Sequence, residues 1–416
     1  MKYYKISEIA NLEAVSQKFI RREIARKTLI SIKKNNKYLI SEFDYQKWKS
    51  SYRKQEKLRK NLGKTKEKVH FIEISEEMKK LDGWSSSYHN GYNFIDLFSG
   101  AGGLSCGLVM AGFLPLASLE IMKQAFETYA YNFKKRSKNK ELFKLGDIRD
   151  SKIKSEFYDH FKDQELDLIA GGFPCQGFSM AGNRVFDDPR NNLYLEMLDI
   201  VANLKPKFVL MENVQGLRTM LSGQIEAKII KDFEKIGYKI NVATLNSADF
   251  GVAQIRKRVI FIANRIGLTN FFPAAILSPE NYKTLGQCIE KYMNWEENIE
   301  INHIFTKHSA KMREKILKTS EGQSVYKNYS DGWKKSPWNQ PSCTVKENHG
   351  GVNLHPKLPR VLTPRELAAL QSFPDSFIFK GSKKWQLVQI GNAVPPLLAK
   401  AIGLAIKKSL DKKDVL

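Results

Sequence analysis

The feature that most constrains the fold is an apolar strand that runs into a glycine loop and then a helix. Asn93-Phe94-Ile95-Asp96-Leu97-Phe98 reads as a buried strand, Ser99-Gly100-Ala101-Gly102-Gly103 as a tight loop, and the stretch carrying Leu104, Leu108 and Val109 as a helix. Strand, glycine loop and helix form the nucleotide-binding start of a doubly wound sheet. The glycines let the backbone approach a ligand, and the helix N-terminus favours its negative groups. The strict dinucleotide-binding spacing is absent.

The α/β pattern continues along the chain. Leu114 to Leu119 reads as a second strand, and it ends in Glu120, placed to accept hydrogen bonds from ribose hydroxyls. Phe143 to Leu145 ends in Gly146-Asp147-Ile148, where Asp147 is placed to take the exocyclic amine of an adenine. Either acid could equally be an ordinary polar residue closing a strand. A buried strand, Leu166 to Ala170, then leads into Gly171-Gly172-Phe173-Pro174-Cys175-Gln176-Gly177-Phe178-Ser179. Two glycines allow a sharp turn and Pro174 stiffens the backbone before a single cysteine. A thiol held there is placed to attack; the alternative is a buried structural cysteine. Phe208 to Met211 ends in Glu212-Asn213-Val214, so Glu212 and Cys175 follow separate strands and face one crevice. Finally, Gln254-Ile255-Arg256-Lys257-Arg258 enters the strand Val259 to Ala263. Alternation at period 2 would put Gln254, Arg256 and Arg258 on one face as an anion and amide-edge site, against the alternative of a solvated strand end.

The 416 residues allow two or three domains. Sixty-eight basic against 44 acidic side chains give +24, which suggests a polyanionic partner, although a general excess of lysine would raise the charge as well. The cysteines, Cys106, Cys175, Cys288 and Cys343, lie far apart, which argues against a zinc ribbon or a disulfide framework and suits a reducing cytoplasm. No metal site is expected. Met1 leads into a charged segment rather than a signal peptide, and no apolar run approaching the ~20 residues of a membrane helix is apparent.

Residues 1–90 carry 22 basic and 11 acidic side chains, +11 of the net +24. The pattern predicts helices over Ile6 to Leu12 and Val15 to Ala25, and strands over Leu29 to Lys33 and Lys37 to Ile40, joined by Lys34-Asn35-Asn36. A third helix opens at Ser41 with Asp44 in its first turn. This order resembles the winged helix-turn-helix domains of the excisionase and MerR type. That resemblance implies double-stranded DNA contacts from Gln17, Lys18, Arg21 and Arg22 on the second helix, with the hairpin lysines at phosphate. A small basic domain that only docks on the rest of the protein is the alternative. Residues 1–60 are expected as this module and 61–91 as a linker, with a helical extension from about residue 50 leading into it.

From about Tyr92 to Ile406 the chain resembles the DNA (cytosine-5)-methyltransferases. The resemblance rests on Asp96-Leu97-Phe98-Ser99-Gly100-Ala101-Gly102-Gly103, Pro174-Cys175-Gln176, Glu212-Asn213-Val214 and Gln254-x-Arg256-x-Arg258. It continues in Arg360-Val361-Leu362-Thr363-Pro364-Arg365-Glu366 with Leu370-Gln371-x-Phe373-Pro374, and in Gln389-Ile390-Gly391-Asn392-Ala393-Val394-Pro395-Pro396. It implies a Rossmann-like doubly wound sheet of the methyltransferase class, catalytic over 92–264 and 359–416, with a target-recognition domain inserted over 265–358. It implies S-adenosyl-L-methionine as cofactor, held by Phe98, Ser99, Gly100, Gly102, Gly103, Leu104, Glu120, Ile121, Asp147, Ile148, Pro174, Asn392 and Val394. Cys175 would be the nucleophile, Glu212 the acid, and Gln254, Arg256 and Arg258 part of the catalytic set. Glu212 must carry a proton near neutrality, so an environment that raises its pKa is expected.

The implied function is sequence-specific methylation of a flipped cytosine by a monomer on DNA, as the modification enzyme of a bacterial restriction-modification system with a cognate endonuclease for the same site. A transcriptional regulator acting through residues 1–60 and an RNA cytosine-5 methyltransferase are the competing readings. The tRNA-directed members of the family carry a Cys-Phe-Thr tripeptide that this chain lacks.

Overall fold

The computed structural model describes residues 2–13, 16–25, 28–62, 68–137, 139–174, 193–326, 332–347 and 353–412. The chain divides into two compact units, Met1–Lys68 with Leu221–Ala227, and Val69–Met220 with Lys228–Leu416.

The first unit contains β1 (Tyr3–Lys5), α1 (Ile6–Leu12), α2 (Gln17–Ala25), β2 (Ile32–Lys34), β3 (Lys37–Ser41) and α3 (Glu42–Leu62). The strands form an antiparallel sheet in the order β1-β3-β2. Asn35 and Asn36, at the tip of the β2–β3 hairpin, both take positive φ (49° and 57°), the pair of conformations that a two-residue turn demands. Ser41 accepts from the Asp44 N–H at 3.1 Å and donates to its carboxylate, so the expected cap opens α3. Ile6, Ile9, Ile20, Leu29, Ile40, Tyr45 and Trp48 give this small unit a core of its own.

The second unit begins with β4 (His70–Ile72) and α4 (Ser75–Lys80). The expected linker over 61–91 is therefore corrected for residues 69–91. β4 pairs with β12 (Phe271–Pro273), and Ile74 and Trp84 are buried in the main core. The physical reason is the apolar content of this stretch. Trp84 meets Phe133 edge-on and carries the Arg136 guanidinium 4.1 Å above its ring.

The main sheet uses β5 (Asn93–Leu97), β6 (Leu114–Glu120), β7 (Phe143–Leu145), β8 (Leu168–Gly171), β9 (Phe208–Val214), β10 (Lys239–Asn246) and β11 (Lys257–Asn264). Its order is β10-β11-β9-β8-β5-β6-β7. The five strands from β7 to β9 are parallel, and β11 and β10 close the other edge antiparallel. Between them run α5 (Gly103–Met110), α6 (Lys123–Phe133), α7 (Ser151–Phe161), α8 (Leu193–Leu204) and α9 (Gln224–Lys235). In register, Leu97 pairs with both Leu119 and Gly171, and Gly171 with Met211. The carboxyl ends of β5, β6, β8 and β9 thus stop at one edge, where this class of sheet binds ligands.

The chain continues through α10 (Leu285–Ile289), α11 (Ala310–Lys318), β13 (Lys334–Lys335), β14 (Asn353–Leu354), α12 (Pro364–Leu370), α13 (Lys383–Asn392) and α14 (Pro396–Asp411). Residues 265–358, expected as one inserted domain, divide in two. Phe272, Leu285, Ile289, Tyr292 and, later in the stretch, Val345 belong to the main core, whereas Ile316, Val325 and Leu354 pack with Val361 in a small core apart. The stretch Lys383–Asp411 is long and apolar enough to cross a membrane, which the sequence reading did not find; 89% of its most apolar window is buried inside the protein, as in a core helix. There α14 lies against α5 at small residues. A Cβ on Gly107 would stand 2.3 Å from the Ala399 Cβ and from the Pro396 carbonyl.

Candidate active site

The glycine loop after β5 forms the floor of a cavity of about 470 Å³ at the sheet's carboxyl edge. Phe98 takes φ +57°, a left-handed conformation that a bulky residue holds only against strain of order 1–3 kcal/mol, and such strain clusters at functional sites. Gly100 (φ +54°) and Gly102 (φ +94°) complete the reversal, with Gly102 as the N-cap of α5. A Cβ on Gly103 would lie 2.3 Å from the Val394 carbonyl, so the loop leaves room for the returning C-terminal segment as well as for a ligand.

Glu120 reaches back across this loop. Its two oxygens accept from the backbone N–H groups of Gly100 and Met122, each at 2.7 Å, and burial raises its pKa. Asp147 faces the same cavity and is gripped by Arg149, whose hydrogen bonds hold its pKa down. Phe98, Ser99, Gly100, Gly103, Leu104, Ile121, Ile148, Pro174, Asn392 and Val394 also line the cavity. Gly102 does not: a Cβ there would meet the Phe133 ring at 2.4 Å, so it faces the core.

At the far wall, Glu212 lies near the carboxyl end of β9 with its side chain only 12% exposed. Burial raises its pKa, the direction expected, while Arg258 and Arg256 oppose the rise. Arg258 Nε lies 2.8 Å from Glu212 Oε1. Asn213 donates to the Phe173 carbonyl at 3.0 Å, which fastens the end of β9 to the loop after β8. Cys175 itself lies outside the described residues. Cys106 and Cys288 are buried, and burial pushes the Cys106 thiol well up and the Cys288 thiol to about 11. Among the described residues no cluster of metal-ligating side chains occurs.

Of the three residues expected to converge, Arg256 and Arg258 line the cavity and Gln254 does not. β11 starts only at Lys257, so strand alternation does not govern Gln254 and Arg256. Gln254 donates to the Gln371 amide (2.9 Å) and accepts from the Val345 N–H (2.8 Å). Arg256 is 2% exposed and donates to the carbonyls of Val345 (2.9 Å), Gly391 (3.0 Å) and Ala393 (2.9 Å). Both tie the chain together, and Arg258 alone of the three pairs with the acid. On the separate first unit, Gln17, Lys18, Arg21 and Arg22 are all exposed along α2.

Sequence reasoning left Asp96 out of the site. It is 1% exposed and lines the cavity. Its Oδ2 accepts from Ser105, while Oδ1 and the nearby Ser99 hydroxyl have no partner. Buried polar atoms without partners at a cavity floor call for a polar ligand. A charged residue in the middle of an apolar strand was the available signal.

Comparison with known proteins accords with this geometry. Residues 92–408 match the family model described as C-5 cytosine-specific DNA methylase. The chain is 42% identical over 331 residues to the type II methyltransferase M1.HphI of Haemophilus parahaemolyticus, covering 76% of this chain and 86% of that one. It is 32% identical over 372 residues to the type II methyltransferase M.DdeI of Desulfomicrobium norvegicum, covering 74% and 87%. A solved structure of a prophage-encoded protein from E. coli, described as a DNA modification methyltransferase, superposes with a TM-score of 0.63 at 29% identity, covering 77% of this chain and all of that one. EhMeth of Entamoeba histolytica shares the fold, with a TM-score of 0.57 at 18% identity over 77% of this chain and 98% of that one. The chain belongs to the C-5 cytosine-specific DNA methylases, and it is a DNA (cytosine-5-)-methyltransferase.

Burial holds the Asp96 carboxyl up at about 7, with the Ser105 hydrogen bond opposing and Glu120 adding to the rise. The folded state therefore keeps a proton that the unfolded chain loses near its ordinary 3.8. The stability this proton supplies is complete below that value and is lost as pH rises towards 7. Replacing Asp96 with Asn removes the loss. Urea unfolding of the cofactor-free proteins should show the variant gaining on the parent by up to about 1.4 kcal/mol per pH unit between about pH 4 and 7, then levelling off.

Proposed function

We propose that the crevice at the carboxyl edge of β5, β6, β8 and β9 methylates carbon 5 of a cytosine in a short DNA sequence, as the modification enzyme of a type II restriction-modification system. The observation that carries this reading is one cavity that joins a protonatable acid, Glu212 beside Arg258, to a glycine loop flanked by Glu120 and Asp147. The target carbon is inaccessible in stacked duplex, so the base must flip out to enter.

The residues fit S-adenosyl-L-methionine. Phe98, Ile121 and Ile148 would pack against the adenine, Asp147 would accept from its amine, and Glu120 would bind the ribose. The unpartnered Asp96 and Ser99 oxygens, with Gly100, Gly103 and Leu104, are suited to the charged amino-acid end, and Gly102 serves by making the turn. Asn392 and Val394 would close the site from the C-terminal side, and Pro174 from the nucleophile loop. When bound, this cofactor supplies an electrophilic methyl group.

The remaining work belongs to the protein's own side chains. Carbon 5 of cytosine is a weak nucleophile. Addition of the Cys175 thiolate at carbon 6 moves electron density to carbon 5, and a proton from Glu212 to ring nitrogen 3 neutralises the charge that develops. Burial raises the Glu212 pKa and so favours the protonated acid. Arg258 holds the Glu212 carboxylate in place between turnovers. Gln254 and Arg256 act by bracing the wall. Once the methyl is on, the proton on carbon 5 leaves to a base, the Cys175 sulfur is expelled, and the proton on ring nitrogen 3 returns to Glu212. The buried, raised thiols of Cys106 and Cys288 favour Cys175 for this role.

For the first unit we propose a winged helix-turn-helix that binds double-stranded DNA. Its order of helix, helix, hairpin and helix supports this, as does the basic exposed face of α2 with Lys33, Lys34 and Lys37 on the hairpin. The module would add affinity at the methylation site or act as a regulator at the protein's own promoter. Part of residues 265–358 would read the target bases. The enzyme would act as a monomer, sharing its site with a cognate endonuclease.

Bisulfite sequencing of plasmid from cells expressing the protein should show protected cytosines in one short motif, absent with Cys175→Ala. Glu212→Gln should lower kcat by about 10²–10⁴-fold in a tritium-transfer assay. If well-folded protein protects no cytosine, the DNA-methylation reading fails. Replacing Lys18, Arg21 and Arg22 by alanine together should weaken binding to duplex DNA. It should also flatten the slope of log affinity against log salt by about 0.9 for each phosphate that is no longer neutralised. An unchanged slope would mean that α2 does not touch phosphate.

A further inference from the structure

Asp147 is the most completely engaged carboxylate at the cavity wall, and its partner has no part in the chemistry above. The Asp147 carbonyl accepts from the Asp150 N–H at 2.9 Å, and the Asp150 side chain caps α7 by accepting from the Lys152 N–H, so the loop is fixed by its own backbone. Within that turn Arg149 binds the Asp147 carboxylate four ways. Its N–H and Nε donate to Oδ1 at 2.9 and 3.0 Å, and Nε and Nη2 donate to Oδ2 at 3.1 and 2.5 Å. The Arg149 side chain remains 54% exposed, so the grip does not serve to fill the core. Both residues line the cavity.

We propose that Arg149 is a positioning residue for the cofactor, holding the Asp147 carboxylate in the one orientation that meets the adenine amine. This rests on the reading of Asp147 as the adenine acceptor. Three N–H groups make these four contacts, because the Nε–H is shared between the two oxygens; a carboxylate has about four lone-pair sites, so one stays open to an incoming N–H while the guanidinium fork fixes the plane of the group. Without the fork the carboxylate rotates freely and must be ordered by the cofactor at the moment of binding. Arg149 is the charge that acts on Asp147 and holds its pKa down. The other acid acting on Arg149 is Glu196 on α8, itself engaged by Lys154 at 2.5 Å.

The test is calorimetric binding of S-adenosyl-L-homocysteine to the full-length protein and to its Arg149→Ala, Arg149→Lys, Asp147→Asn and doubly substituted Asp147→Asn/Arg149→Ala forms, from pH 5 to 8. Arg149→Ala should weaken binding three- to tenfold at pH 7.5. The loss should stay nearly flat from pH 8 to 5, because a carboxyl returned to its ordinary 3.8 is still ionised there and only its orientation has been lost. Arg149→Lys, which keeps the charge but not the fork, should fall between. The double substitution should bind no worse than Asp147→Asn alone, since Arg149 acts through that carboxylate. Arg149→Ala binding unchanged or tighter, beside a weakened Asp147→Asn, would overturn the proposal and make the arginine a bystander or a competitor. An unweakened Asp147→Asn would instead overturn the adenine reading on which the proposal rests.

Discussion

One buried guanidinium holds this architecture together. Arg256 stands at the entry to β11 and ties down the carbonyls of Val345, Gly391 and Ala393, which come from the end of the inserted region and from the C-terminal return. Gln254 adds Val345 and Gln371, and Gln371 in turn reaches the Ile390 carbonyl at 2.6 Å. Burying a guanidinium is costly, and the burial lowers the Arg256 pKa to about 9. Three backbone acceptors offset that cost and turn a catalytic domain split in sequence into one continuous wall. The wall runs from Gly391 to Val394, beside the glycine loop.

The same burial shapes the chemistry on the other side of the wall. Asp96, Glu120 and Glu212 all sit where desolvation raises their pKa values, and each has a different counterweight: a serine hydroxyl, two backbone N–H groups and an arginine. Burial at one crevice thus shifts these acids towards the protonated form, while Arg149 shifts Asp147 the other way. That contrast separates the acid suited to proton donation from the acid suited to accepting an amine.

The parallel sheet and its ligand edge were legible in the sequence because each strand is a short apolar run ending in a polar residue of a motif, as in Phe208 to Glu212. The hairpin turn at Asn35-Asn36 was legible for the same kind of local reason. What escaped was set by tertiary contact. Strand alternation misplaced Gln254 and gave no sign that Arg256 braces the wall, because their hydrogen-bond partners lie about 90 to 140 residues away, at Val345, Gln371 and Ala393. The stretch 69–91 looked like a linker because β4 has no partner until β12 arrives some 200 residues later. Asp96 was overlooked as a site residue because a buried acid with an unpartnered oxygen can be recognised only once its surroundings are known.

The most direct measurement is to trap the enzyme on its own reaction. An oligonucleotide carrying the modified sequence with 5-fluorocytosine at the target position has no proton on carbon 5 to lose, so the bond to the nucleophile should persist after methyl transfer. Incubation with S-adenosyl-L-methionine, denaturation, protease digestion and mass spectrometry should give one DNA-linked peptide, joined through Cys175 and carrying one added methyl on the base. No denaturation-resistant adduct from protein that binds this DNA, or an adduct through Cys106, Cys288 or Cys343, would contradict the account.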